Sequence, residues 1–231
     1  MSLAGRGAVA IWHDIAPEGR VDFYAWHGGE HMPERLSIPG FLRGRRFAAL
    51  DADLEFFNLY ETADAAVVKG AEYRARVDNP TPRTLAAVRH FRSTARSLCE
   101  VGASFGGAQG GICATWRYDV AEARAEAHTR VLTDHLLPKA AALPGVAGVH
   151  FLRADAEASG RPTAEQIARG VANTVPQWII ILEGWGDAGG FAALCGAAVP
   201  GGALESLGAL APPVRGIYQL QIARGRTGTG V

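Results

Sequence analysis

The chain carries the same punctuation twice. Pro33, Pro39 and Gly40 recur as Pro138, Pro144 and Gly145 at a constant offset of 105 residues. Trp12 and Trp116 stand at nearly that offset near the ends of two strand-like runs, and Glu61 and Glu183 close two others. Matching marks in matching order argue for a duplicated unit, so any fold must be one that the chain can build twice.

The elements predicted around those marks repeat as well. In the first half, Ala8 to Ile15 reads as a strand and Val21 to Ser37 as a helix with a kink or break before Pro33. Gly28 and Gly29 weaken that helix and are expected to let a ligand or backbone approach closely. Phe41 to Leu50 and Glu55 to Glu61 read as strands, Thr62 to Gly70 as a short helix, and Ala71 to Thr84 as a polar connection. Leu85 to Ser97 is the expected last strand, and Cys99 to Gly111, rich in glycine, the linker. The second half gives a strand at Ile112 to Asp119, a helix at Ala121 to Ala142 and a strand at Val146 to Ala154. A polar excursion follows, with a helical turn near Ala164 to Arg169. A strand at Gln177 to Gly184, a broken helical region at Ala188 to Leu210 and a strand at Pro213 to Ile222 complete it. The tail from Arg224 is expected to be disordered.

Strand-helix-strand-strand-helix-strand makes a four-stranded antiparallel sheet with two helices on one face. Residues Trp178 to Leu182, WIIIL, have no polar alternation, so both faces of that strand must be covered. Two sheets packed against each other inside one chain satisfy this. The expected fold is therefore α+β: two tandem ferredoxin-like units, residues 1–104 and 105–231, closing into an intramolecular barrel with helices outside. The interior between the sheets is the expected small-molecule pocket.

Composition narrows the function classes. Lys plus Arg equals Asp plus Glu at 23 each, so there is no global field to draw in nucleic acid or anionic membrane. The longest apolar run is too short to span a bilayer. The start of the chain shows no apolar leader, and three cysteines without a paired motif read as reduced thiols; together these predict a cytoplasmic protein.

Usable chemistry concentrates in Trp26 to Phe41, WHGGEHMPERLSIPGF. His27 and His31 are four apart and share a helical face, with Glu30 and Glu34 three residues after each. His27-Gly-Gly-Glu30-His31 spells the H-x-x-E-H string of inverted zinc peptidases, but it lacks a third ligand and a stable helix, so no metal is expected. The better reading is acid–base: a histidine exchanges protons near neutrality, oriented by a neighbouring glutamate. Asn58 and Tyr60 share a face of an apolar strand, and Tyr60 is suited to donate to a developing oxyanion. The catalytic candidates are thus His27, Glu30, His31, Glu34 and Tyr60. Trp12, His13, Arg45, Asn58 and His90 are the pocket candidates, chosen by strand alternation. The plainer alternative is that these histidines only cap or brace the helix.

The stretch DFYAWHGGEHMPERLSIPGFLRGRRF resembles the N-terminal signature of bacterial proteins related to the EthD-like branch of the dimeric α+β barrel superfamily. That resemblance implies the barrel fold over nearly the whole chain. Its members include cofactor-independent monooxygenases, isomerases, cyclases and haem enzymes. The expectation is a cofactor-independent enzyme acting on a small apolar or aromatic molecule. Haem binding and a non-catalytic carrier or structural role are the alternatives. The pairing need is met internally, giving a monomer with an internal pseudo-dimer, or a homodimer of such chains. The second half lacks the His/Glu cluster, so special chemistry belongs to the first.

Overall fold

The computed structural model describes residues 2–226. Eight antiparallel strands form one closed barrel: β1 (Gly7–Ile15), β2 (Phe41–Asp51), β3 (Phe56–Thr62), β4 (Phe91–Gly106), β5 (Ile112–Tyr118), β6 (Val146–Ala154), β7 (Trp178–Gly184) and β8 (Val214–Gly225). Their order around the ring is β1-β3-β2-β8-β5-β7-β6-β4. The first four and last four strands each lie together, and the ring closes where β2 meets β8 and β4 meets β6.

Helices α1 (Arg20–Trp26) and α2 (Met32–Ser37) are joined by a π-helical turn at His27–His31. The irregularity expected before Pro33 as a kink or break takes the form of a widened turn: the Met32 N–H bonds the His27 carbonyl. Proline has no N–H, and its ring clashes with the carbonyl four residues back, here Gly29; an extra residue in the turn relieves both problems. The second half solves the same problem in the same way. Between α5 (Glu122–Val131) and α6 (Leu137–Ala141), a π turn spans Leu132–Leu136 and precedes Pro138. No other backbone approaches Gly28 or Gly29 closely, since a Cβ at either meets no protein atom within 4 Å. Gly29→Ala is therefore expected to raise stability by about 0.5–1 kcal/mol through lost unfolded-state entropy. The denaturation midpoint would report it, and a lowered midpoint would mean that the turn needs glycine.

Several predicted elements are displaced. Of Thr62 to Gly70 only one 3₁₀ turn, Val67–Lys69, is helical. The supposed connection and the start of the supposed strand hold α3 (Ala71–Asp78) and α4 (Pro82–Val88). Thr81 caps α4 by accepting from the Thr84 N–H, with Pro82 at the first helical position, a start signal that outweighs the β-like reading of Leu85 to Val88. β4 begins at Phe91 and runs through most of the predicted linker, because it pairs with β1 along one part and β6 along another. The boundary predicted at 104/105 falls within it. The remaining helices are α7 (Ala156–Gly160), α8 (Ala164–Arg169), α9 (Ala188–Ala198) and α10 (Ala203–Ser206). Arg224 and Gly225, expected in a disordered tail, belong to β8, and Arg226 bonds Leu42; 227–231 lie outside the described residues. No helix among the described residues is long and apolar enough to cross a membrane.

The barrel interior is filled, contrary to the expected pocket between the sheets. An eight-stranded barrel is just wide enough for side chains to close it. Trp12 stacks on Phe57 at 4.9 Å, and Phe47 and Tyr218 pack on the same ring. Beyond them lies a buried ionic knot. Arg45 bonds Glu183 through two nitrogens at 2.7 and 2.9 Å and Glu61 at 3.0 Å. Arg43 also grips Glu61, His150 lies 3.3 Å from Glu183, and the Ala4 and Gly110 N–H groups donate to the two carboxylates. The outer faces of the strands therefore meet the helices. Trp178 to Leu182 is covered on both sides, as its apolar run requires.

Candidate functional site

The two halves differ in what fills the space between sheet and helices. In the second, Leu132, Phe151, Trp178, Ile180 and Phe191 form an apolar core, and a cavity of about 270 Å³ lies to one side of it, lined by Trp116, Cys195, Val199 and Leu204. In the first, a cavity of about 60 Å³ remains under the π turn. Its apolar wall includes Val9, Ile11, Trp26, Phe41, Val88 and Phe91; its polar wall includes His27, His31, Asn58, Tyr60 and Thr94, with Arg35, Arg96, Arg169 and Glu165.

Strand alternation sorts the sequence candidates. On β3, Asn58 and Tyr60 face outward into this cavity, while Phe57 and Leu59 face the barrel. On β1, Trp12 points into the barrel core and His13 outward. Trp12 and Arg45 are thus core residues and not pocket residues. His90 sits in the turn before β4, against Glu18 and Gly19, and does not line the cavity. It was misplaced with its strand.

Two hydrogen-bonded chains orient the polar wall. Arg46 Nη1 lies 3.3 Å from His27 Nδ1, and Tyr60 Oη lies 3.1 Å from His27 Nε2. A guanidinium can only donate, so His27 Nδ1 accepts and Nε2–H donates to the phenol oxygen. The proton of Tyr60 is thereby left for the cavity. In the second chain, the Asp14 carbonyl can only accept, so His13 Nδ1–H donates to it at 3.3 Å. His13 Nε2 then accepts from Asn58 Nδ2 at 2.9 Å, which turns Asn58 Oδ1 to a position without a protein partner. The sheet presents a donor and an acceptor two residues apart on one face.

The electrostatics hold these groups in their neutral forms. Burial, then the Arg46 charge, pulls the His27 pKa well below 6.5. Burial, then Arg35 and His27, does the same to His31. His13 falls to about 3, chiefly through burial. Burial raises the Tyr60 phenol, so it stays a donor.

His31 is the free imidazole. Its Nδ1 is buried with no hydrogen-bond partner, its ring packs on Trp26 at 4.3 Å, and Glu34 stands 3.8 Å away. The i,i+3 spacing does bring Glu34 toward His31. It does not bring Glu30 to His27: Glu30 accepts from Thr81 at 2.6 Å and faces Arg83, tying the π turn to α4. Among the described residues no three His, Cys, Asp or Glu side chains converge as a metal set, and Cys99, Cys113 and Cys195 are buried free thiols.

Other lining residues escaped the sequence reading. Arg35 follows His27 and His31 at the same helical spacing, a signal present but unused; it pairs with Glu165 and Glu34. Thr94 and Arg96, which line the cavity from β4, fall within the expected strand Leu85 to Ser97 in the alternation of His90, a second signal left unused. Arg169, on the last turn of α8, had no sequence signal. Asn58 Oδ1, Thr94 Oγ1, His31 Nδ1 and Arg169 Nε are all buried atoms without partners, and all belong to lining residues. Such atoms are costly unless something completes them.

No family model and no curated protein sequence matches the chain. Solved structures share its fold from end to end. An anthrone oxidase-like protein is 12% identical with a TM-score of 0.63, over 100% of this chain and 99% of that one. A provisionally assigned monooxygenase from Lactobacillus acidophilus is 10% identical with a TM-score of 0.56, over 96% and 97%. A chlorite dismutase from Candidatus Nitrospira defluvii, solved with cyanide, is 9% identical with a TM-score of 0.50, over 92% and 90%. At these identities the likeness is one of fold alone, an α+β barrel.

Proposed function

We propose that this chain is a small-molecule enzyme of the monooxygenase type, acting in the cavity between the first-half helices and the outer face of the barrel. The observation that carries the reading is the convergence of an unpartnered imidazole, His31, with an oriented donor, Tyr60 O–H, and an oriented acceptor, Asn58 Oδ1, in one apolar-walled cavity. A carrier needs the apolar wall but not that convergence.

The chemistry these residues support is proton removal from a CH₂ group conjugated through an aryl ring with a carbonyl. His31 takes the proton, Glu34 steadies the imidazolium as it forms, and the carbonyl oxygen gains charge against Tyr60 O–H. His27 and Arg46 act through Tyr60 by fixing where its proton points. The carbanion then reduces dioxygen. A CH₂ group and O₂ give a hydroperoxide, which loses water to leave C=O, so atoms and electrons balance with dioxygen as the only oxidant. Burial strengthens the Tyr60 contact by excluding water.

The test is oxygen uptake with anthrone, an activated CH₂ between two aryl rings. Tyr60→Phe and His31→Ala are each expected to lower kcat/KM by about 10²-fold or more. Wild-type rates in both variants would sink the reading.

Haem binding, which the fold shared with a chlorite dismutase raises, is the second reading; His27 has both ring nitrogens engaged, so His31, with its unpartnered Nδ1, is the residue that would hold it. The finer family reading remains the EthD-like branch, carried by Trp12 to Phe47. The finer fold reading is two tandem units, 1–104 and 105–231, supported by π turns and prolines at one offset; it makes the chain its own pseudo-dimer, alone or as a homodimer. Buried free thiols support a cytoplasmic setting.

A further inference from the structure

One end of the same cavity holds more positive charge than the protein answers. Three arginines line it against a single carboxylate, Glu165, and Glu165 is already engaged by Arg35. Arg96 bonds only the Tyr73 hydroxyl, at 2.6 Å, and Arg169 bonds the Asn173 side-chain oxygen; neither forms an ion pair among the described residues. Burial, and then the Arg96 charge, depresses Arg169, and the opposing pull of Glu165, already shared with Arg35, does not offset them. Thr94, 5% exposed, lines the same cavity with an unpartnered hydroxyl, as Arg169 does with an unpartnered Nε. Arg96 and Tyr73 also line a neighbouring cavity of about 210 Å³, so this end has room for a substituent that the inner cavity lacks.

We propose that the ligand of this site is an anion, a carboxylate borne on an apolar ring, with the carboxylate seated among Arg96, Arg169 and Thr94 and the ring directed toward Tyr60 and His31. The inference rests on the functional reading above for the location of the site, and adds the charge of what enters it. Two guanidiniums without a carboxylate partner suit a single negative charge, and the threonine hydroxyl suits one of its oxygens. A neutral ring would leave both charges and two of the four orphaned atoms, Thr94 Oγ1 and Arg169 Nε, as they are.

Calorimetric binding of 4-hydroxybenzoate and 4-hydroxybenzamide tests this without turnover. The two probes match in shape and differ in charge. The acid is expected to bind at least about tenfold more tightly than the amide at low salt, with the advantage shrinking as salt rises. An Arg96→Gln/Arg169→Gln double variant is expected to bring the ratio near one, chiefly by weakening the acid, with its far-ultraviolet circular dichroism and unfolding midpoint reporting that it folds. Equal affinities for acid and amide in the parent, no binding of the acid, or an advantage that survives the double variant would each overturn the proposal. Oxygen uptake is read separately. A protein that prefers the acid but never consumes oxygen keeps this inference and loses the enzymatic one.

Discussion

Acidification from pH 6.5 toward pH 3 is expected to remove folding free energy steadily, beginning well above the range where ordinary carboxylates titrate. His13 is buried as a neutral imidazole, and its pKa drops from 6.5 to about 3 on folding, chiefly because burial opposes its charge. The sign follows directly. Below pH 6.5 the unfolded chain binds a proton there that the folded protein refuses, so stability is full above 6.5 and is lost as pH falls toward 3. His13 alone contributes a slope of about 1.4 kcal/mol per pH unit, or about 5 kcal/mol over the interval, comparable to the lower end of a whole domain's stability. His27 and His31 shift in the same direction and steepen the loss. Glu183 joins later. Burial raises its pKa, but the His150 and Arg45 contacts outweigh burial and hold it at about 2 against an ordinary 4.5, so its contribution is lost only between those values. Denaturant midpoints measured across the interval should decline in two stages, histidine first. A midpoint constant from pH 6.5 to 4.5 would refute the first stage.

Arg45→Met should cost about 3–5 kcal/mol, more than most single substitutions. Its guanidinium is 0% exposed and sits between Glu61 and Glu183, each at most 1% exposed. Removing it leaves two carboxylates in the barrel with too few partners. Glu61 keeps Arg43 and the Ala4 N–H; Glu183 keeps only His150 and the Gly110 N–H. Arg45→Lys should recover part of the loss, since a point charge cannot hold both oxygens of Glu183 while reaching Glu61. Chemical denaturation of the three proteins decides it. A methionine variant within about 1 kcal/mol of the parent would mean that the knot adds little.

Much of this molecule was legible from its residues, and the failures have physical causes. The repeated proline marks and the WIIIL strand pointed to an antiparallel barrel with helices outside, because periodicity reports which faces are buried. Periodicity does not report which buried face keeps a cavity. Trp12 and Arg45 share the register of the barrel lining, Asn58 and Tyr60 that of the helix side, and only the closed ring decides that the first is full. Leu85 to Val88 was apolar enough to pass for strand, yet the Thr81-Pro82 cap was in plain view. His27 and His31 were visible as a pair, but their difference was not. It depends on Arg46, nineteen residues on from His27, occupying one imidazole and leaving the other free.

The closing of the ring has a consequence for how the chain is made. The first four strands run β4-β1-β3-β2, so β2 and β4 are open edges until later sequence supplies their partners. β6 reaches β4 through pairs such as Cys99 with Ala154, whereas β2 waits for the last strand, Arg46 pairing with Ile222. During synthesis the half that carries most of the cavity, all but the Glu165 and Arg169 wall, is therefore made but unsealed, with two unpaired backbone rows exposed to other nascent chains. Truncations that remove β8 are expected to yield aggregates of this half, and its solubility in the cell to hinge on how soon the final strand leaves the ribosome.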